Sequence, residues 1–554
     1  LTLSHAITLQ GDSQAGVVLN NPSTDDVPTI TIDADGPVTV ARMTITPAEP
    51  SDSVQNTVAV RAQAGSTATV SQITVSNPTS LAVGGIHAAG GSTLSLDRST
   101  LTGLAFGVAV GNLPGDGTSV PATATVTDST ITNNNAGVLL AAGTATITGG
   151  SVSGNTFAGL AGSTSDAAFQ VTDTSITDNG SPANGSGAGV LLQSGGSFTG
   201  GNVTISGNYD GVLAEGDVTL TSSTVTNNGG STQDGTPYGG GILVQPRTDP
   251  DTGDPIPLAV SITGTDVSGN TFGVQLPYTQ ATITGRTITN NAMFGITAQG
   301  SDAQHPGTLA LTGSTVKDNG PQSGTSAVAS QNLGGLSLAD VDATVTGTSF
   351  TGNTIGVMSS RSSTVTINGG AVADNPLGGV FAGQGVGTLP SIDLADVSIT
   401  GNGLATSAAF PFAAGITVTA GTVTGRGLAI SGNSNGVLAS ANGADATLTL
   451  TDSVVSGNVI TEQEVLPGGN GILAGGSGEA AALVTLRRTE VSGNAGNGLW
   501  MPVGGVGRVT DSTIAGNSGD GISGVLPEGG EPGDGPATSL LLAGSTVADN
   551  AGGA

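Results

Sequence analysis

Three carboxylates fall within six residues at Asp249-Pro250-Asp251-Thr252-Gly253-Asp254, with a glycine to bend the chain between them. Hard oxygen ligands at such spacing can wrap a calcium ion, so Asp249, Asp251 and Asp254 form a candidate calcium site. The run lacks the full ligand series and the distant glutamate of a helix-flanked calcium loop, and a plain solvated loop is the competing reading. Asp25-Asp26, in the turn-like stretch 20–28, reads as a solvated bend. Of the three histidines, His5 and His87 lie in strand-like sequence far apart, and His305 precedes a proline in a loop. Arg487-Arg488 follows Leu486 between a strand and a corner, where a solvated pair is the default. Nothing brings a nucleophile, a base and an orienting partner together, so no catalytic residue is assigned.

The elements that must position these residues are repeats. Sixteen times a short apolar stretch runs into an asparagine and a Gly-apolar pair follows. Clear copies end at Asn155, Asn208, Asn270, Asn353, Asn433, Asn494 and Asn517. From Asn134 to Asn550 the intervals run 20 to 42 residues. A period of that size marks one supersecondary unit stacked many times. Within Val218–Asn228, Val218 and Leu220 alternate with threonines as a half-buried strand should. Ser222-Ser223-Thr224 makes a corner, Val225 turns inward again, and Asn228 closes a short second strand. β-branched residues fill the strands, and Gly, Asn, Asp and Ser fill the bends.

Short strands that recur once per coil must pair with the equivalent strand of the next coil. The expected fold is therefore all-β, a parallel β-helix of roughly twenty coils, right-handed as parallel crossovers are. Asparagine tolerates the left-handed conformation at a corner, and its amide can bond the Asn one coil away. The seven asparagines above should form one such ladder.

These residues resemble the right-handed parallel β-helix repeat, or pectin-lyase-like, superfamily, which includes pectin-degrading enzymes, phage tailspikes and bacterial surface proteins. The resemblance covers roughly 38–550 and implies the fold. Function does not follow from it, because the paired aspartates with G-H-G and R-x-K strings that its pectin hydrolases carry do not occur here. Its pectate lyases imply calcium-binding aspartates beside a catalytic Arg or Lys. A narrower likeness, to polymorphic-membrane-protein adhesin repeats, rests on Phe350-Thr-Gly-Asn353, Gly240-Gly241-Ile242 and Gly334-Gly335-Leu336.

Composition narrows the partners. The net charge is −29, with one lysine, Lys317, so the basic stripe that binds nucleic acid is missing. Only 9% of residues are charged, which places solubility on Thr, Ser and Asn. Aromatic residues make up 3%, fewer than a globular core normally uses and enough for stacked aliphatic rows. There is no cysteine and no apolar stretch of membrane-spanning length.

The repeat points to one elongated domain, with residues 1–77 as divergent first coils and 78–554 as regular ones. The chain opens in strand pattern at Leu1-Thr2-Leu3 and stops within a repeat, which reads as a piece of a longer protein with bare ends at which copies can pair. Five repeats expand after Asn179, Asn228, Asn319, Asn402 and Asn458. A second set of loops follows the Gly-apolar strand, at 111–121, 245–257, 299–307, 382–390 and 523–537. Strict alternation also turns a column outward after each Gly-apolar pair. Its larger members include Leu213, Leu243, Met358, Phe381, Leu438, Leu473 and Trp500, a candidate contact stripe for self-association or for other surface proteins. A one-residue slip would bury this column instead, as would loops folded over it. The leading functional reading is a non-enzymatic structural or adhesive solenoid at the cell surface or outside the cell. The alternative is a protein that binds or degrades polysaccharide.

Overall fold

The computed structural model describes residues 1–21, 27–48, 57–77, 83–113, 118–181, 185–231, 235–321, 334–383, 388–405, 413–460, 468–524 and 537–553. The described residues contain no helix, and so none that could cross a membrane. The chain divides into two compact units, Leu1–Phe272 and Gly273–Ala554. Each is a parallel β-helix built on the same coil.

In the first unit one coil runs through Val212–Ala214, Asp217–Thr221 and Thr224–Thr226. Each strand pairs in parallel with its counterpart in the next coil, Val212 with Ile242, Val218 with Val260 and Val225 with Val267. A coil of the second unit has the same three strands, Val437–Asn442, Ala446–Thr451 and Val454–Ser456. There Val437 pairs with Ile472, Leu448 with Val484 and Val455 with Val491. The inward residues of these strands are almost fully buried, and each contributes about 1.5–3 kcal/mol. Phe169 and Phe198 stand in register inside the first unit and Phe350 inside the second, all buried.

The bends follow from local chemistry. Between the second and third strands the chain takes a left-handed residue, such as Asp128 (φ 46°), Ser222 (φ 50°) or Asp452 (φ 51°). Asp, Asn, Ser and Gly tolerate that region best. The next residue, often Ser or Thr, turns its hydroxyl inward and accepts an amide proton from the preceding coil. Val203 N–H donates to Ser223 Oγ at 3.1 Å, and Thr489 N–H to Ser512 Oγ at 3.1 Å. The described residues of 1–77 stack in the same rows. Val38–Thr46 and Thr67–Ser76 run unbroken where later coils have two strands, with Arg42 (φ 57°) and Gln72 (φ 52°) at the corner. Thr67–Ser76 pairs with both Thr93–Asp97 and Thr100–Thr102.

The repeat asparagines close the third strand and are buried. In the first unit, Asn155 Nδ2 donates to Asn179 Oδ1 at 2.8 Å, Asn179 to Asn208 at 3.0 Å, Asn208 to Asn228 at 2.9 Å and Asn228 to Asn270 at 3.0 Å. In the second, the same bond joins Asn319 to Asn353, Asn402 to Asn433, Asn458 to Asn494 and Asn494 to Asn517. Each acceptor oxygen also takes the backbone N–H of the earlier asparagine, as Asn208 Oδ1 does from Asn179 at 2.9 Å. Each side chain thus satisfies a corner amide that would otherwise be buried without a partner.

The expected solvent-facing column is corrected by the structure. Phe381, Leu438, Leu473 and Trp500 are buried, and Leu213, Leu243 and Met358 are half-buried. The column does alternate outward, but its members stack in register, Leu213 on Leu243, Met358 on Phe381, and Leu473 between Leu438 and Trp500. Corner residues then pack over them. Ile355 and Leu377 cluster with Phe381 and Met358, and Ala414 with Leu438, Leu473 and Trp500. The Gly-apolar strands are accordingly buried on both faces, as at Ala188–Leu192.

Candidate functional site

The acidic loop forms the tip of an antiparallel hairpin between Arg247–Thr248 and Pro255–Ile256. The three aspartates of the expected calcium site lie on this tip. Asp249 Oδ1 accepts the amide protons of Asp251 (2.8 Å) and Thr252 (3.2 Å), so this carboxylate caps its own turn. Among the described residues no three His, Cys, Asp or Glu side chains gather to hold a metal ion, the Asp249, Asp251 and Asp254 set included.

The other polar candidates do not converge either. Asp25-Asp26 lies outside the described residues. His5 is exposed beside Ser4. His87 is buried, with Nε2 2.9 Å from the Gly111 carbonyl oxygen. His305 Nδ1 lies 3.0 Å from Asp302 Oδ1 and its ring meets Tyr278 edge-on at 6.2 Å. The Gln304 amide, then His305, holds the Asp302 carboxyl below its usual range. Arg488 forks onto Asp452, one coil earlier, at 2.6 and 2.8 Å. Of the ten expanded loops, parts of all but 245–257 and 299–307 lie outside the described residues.

One constellation remains, in the first unit, at the corner between the ladder asparagine and the repeat glycine. Asn208 closes a third strand, and Tyr209 and Asp210 follow it before Gly211 starts the next coil. An insertion then forms a small hairpin, Gly230–Ser231 against Pro237–Tyr238, which returns the chain to the same corner one coil on. Tyr238 is thereby laid flat on Tyr209, with ring centroids 4.7 Å apart and planes 13° apart. The coil register sets Gly239 opposite Tyr209, and the hairpin places Tyr238, one residue earlier, on the ring. Both rings are half-buried.

Asp210 follows Tyr209 in the chain and is 6% exposed. The Gly240 amide donates to its Oδ1 at 3.0 Å. Burial pushes the carboxyl up to about 7, against the pull of that one hydrogen bond. Burial, then Asp210, then Tyr238, also raises the Tyr209 phenol. At the same position in the second unit Asn435, Asn470 and Asn497 supply neutral amides, and Asp520 follows them as an acid. Asn470 Nδ2 donates to Asn435 Oδ1 at 3.1 Å, and Asn497 N–H to Asn470 Oδ1 at 3.0 Å. Asp210 thus puts an ionisable group where those three coils use asparagine.

The outer face of the stacked pair, next to a buried carboxyl that accepts one backbone proton, can hold a flat-faced polar ligand. Sequence reasoning did not single out Tyr209, Asp210 or Tyr238, which belong to no string motif. A signal was present: the chain has only three tyrosines, and two stand between a repeat Asn and a repeat Gly.

Comparison with known proteins agrees with the winding. Residues 115–250 match the family described as right handed beta helix region. No curated protein matches. Among solved structures, the chain is similar to AlyGC, an alginate lyase of the PL6 family, at 10% identity over 99% of this chain and 94% of that one, with a TM-score of 0.32. It is also similar to a mutant of the periplasmic alginate epimerase AlgG, at 9% identity over 92% and 77%, with a TM-score of 0.16. Superpositions this loose carry no argument about chemistry. By its coils, and by the family signature over 115–250, this chain is a right-handed parallel β-helix protein.

Proposed function

We propose that this protein is a polysaccharide-binding β-solenoid of the cell surface or envelope, in which the coils are a scaffold and the corner at Tyr209, Asp210 and Tyr238 holds the sugar. The observation that carries this reading is the stacked tyrosine pair next to a buried carboxyl. Sugars present C–H faces that lie on aromatic rings and hydroxyls that donate to carboxyl oxygens, and a rigid scaffold keeps both contacts preorganised. A loop-borne site on regular coils is the usual division of labour between frame and binding surface. This reading joins the adhesive and the polysaccharide expectations.

A degradative role is the second reading, and one observation favours it. A carboxyl raised to about 7 is partly protonated near neutral pH and suits a general acid. Polysaccharide co-sedimentation and reducing-end release, run side by side on the wild type, Tyr209→Ala and Asp210→Asn, separate the two. Binding lost in Tyr209→Ala without product release supports the scaffold. Product release abolished by Asp210→Asn would replace it with the catalytic reading.

A further inference from the structure

We infer that the glycan taken at the Tyr209–Tyr238 corner is a neutral one, an uncharged chain of hydroxyl-bearing sugars and not a polyuronate. This rests on the reading of that corner as a polysaccharide site. A uronate carboxylate needs a cation, and the first unit has four arginines, Arg42, Arg61, Arg98 and Arg247. Among the described residues none of them pairs with Asp210, whose hydrogen bond comes from the Gly240 amide. Arg98 is engaged with its neighbour Asp97 at 2.8 Å.

The corner instead offers acceptors and apolar faces. The Asp210 carboxyl has acceptor capacity beyond the Gly240 proton, and sugar hydroxyls are donors. The two phenols can give a proton or accept one. A second carboxylate brought to this corner would meet Asp210 in a partly desolvated place, where the ionised form of Asp210 repels it. It would also approach a chain of net charge −29, which repels polyanions before contact.

The test is titration calorimetry on the full chain with galactomannan as the neutral probe and polygalacturonate and alginate as the acidic ones. The variants are Tyr238→Ala and Asp210→Asn, each checked for an unchanged β-sheet spectrum. Galactomannan should bind, with little change from low to high salt, and Tyr238→Ala should weaken it about tenfold or more. The acidic chains should not bind. Acidic chains that bind, and lose affinity in Tyr238→Ala, would overturn the neutral assignment and leave the polysaccharide site standing. Binding of no probe, or binding indifferent to Tyr238→Ala, would overturn both.

Discussion

Asp318 bends its carboxylate over Gly352, the residue that holds the same corner one coil further on. A β-carbon placed on Gly352 would overlap Asp318 Oδ1. Both residues are left-handed, at φ 54° and 66°. The relation recurs within each unit, at Asp128 and Gly149, Asp178 and Gly207, Asp374 and Gly401, and Asp511 and Gly544. Where the next coil keeps a side chain, it answers the acid. Asn202 Nδ2 donates to Asp173 Oδ1 at 2.6 Å, and Arg488 forks onto Asp452. At these corners an acid is followed by glycine, an amide or a cation, which keeps like charges from stacking at roughly 4.8 Å.

Gly352→Ala should therefore destabilise the second unit twice over, through the left-handed strain and through the carboxylate above it. The expected loss is about 1–3 kcal/mol. Asp318→Gly in the same chain should recover the steric share and leave the strain. Urea unfolding of the two single variants and the double variant checks the coupling. Simple additivity would show that the carboxylate does not crowd Gly352.

Asn208→Ala should remove the acceptor for two donors of Asn179 and the donor to Asn228 Oδ1. The corner amide of Asn179 would then be buried without a partner, at about 2–4 kcal/mol. Stability in stacked repeats is a sum of local terms, so the loss should show as faster hydrogen exchange in the coils beside Asn208. A uniform change across the first unit would contradict a local ladder.

Asp210 should make the protein less stable as pH rises. Its folded value, about 7, lies above the ordinary aspartate value of 3.8, so between those limits the folded state holds more proton than the unfolded one. Its contribution is fully present below about pH 4, falls through the neutral range and is gone above about 7. The cost at high pH is on the order of 2–4 kcal/mol. Asp210→Asn, which copies the residue used at Asn435 and Asn470, should raise the thermal midpoint at pH 8 and flatten the slope between pH 5 and 8. An unchanged slope would mean that the carboxyl is better solvated than its burial implies.

Trp500 is the only tryptophan and is 6% exposed on the outer face of its strand. Its fluorescence should be blue-shifted and shielded from iodide in the native state. Trp500→Ala should cost about 3–5 kcal/mol, because it empties a place packed against Leu473 and Leu438. Ready quenching by iodide would restore the solvent-facing column.

Calcium should leave the thermal midpoint unchanged in chelator-treated protein, since Asp249 already serves its own turn. A rise lost in Asp251→Asn would reinstate the loop as a metal site.

The sequence alone determined the coil. An in-register stack sets one demand on every turn of the chain, so the demand reappears at each repeat: a β-branched residue inward, a residue tolerant of positive φ at the corner, and an asparagine whose amide meets the next one. That is why Asn208 and Asn353 could be placed in a ladder before any coordinates. Alternation likewise gave the direction of Leu438 and Trp500. It could not give their burial, because that depends on which residues of other coils, Ala414 and Leu473 among them, the fold packs against them. The three aspartates at 249–254 announced their spacing, but only the turn geometry decided that Asp249 bonds its own backbone. Tyr238 and Tyr209 are 29 residues apart, and an insertion separates them. The returning hairpin brought one ring onto the other next to Asp210, and no local pattern encodes a contact made by the closure of a coil.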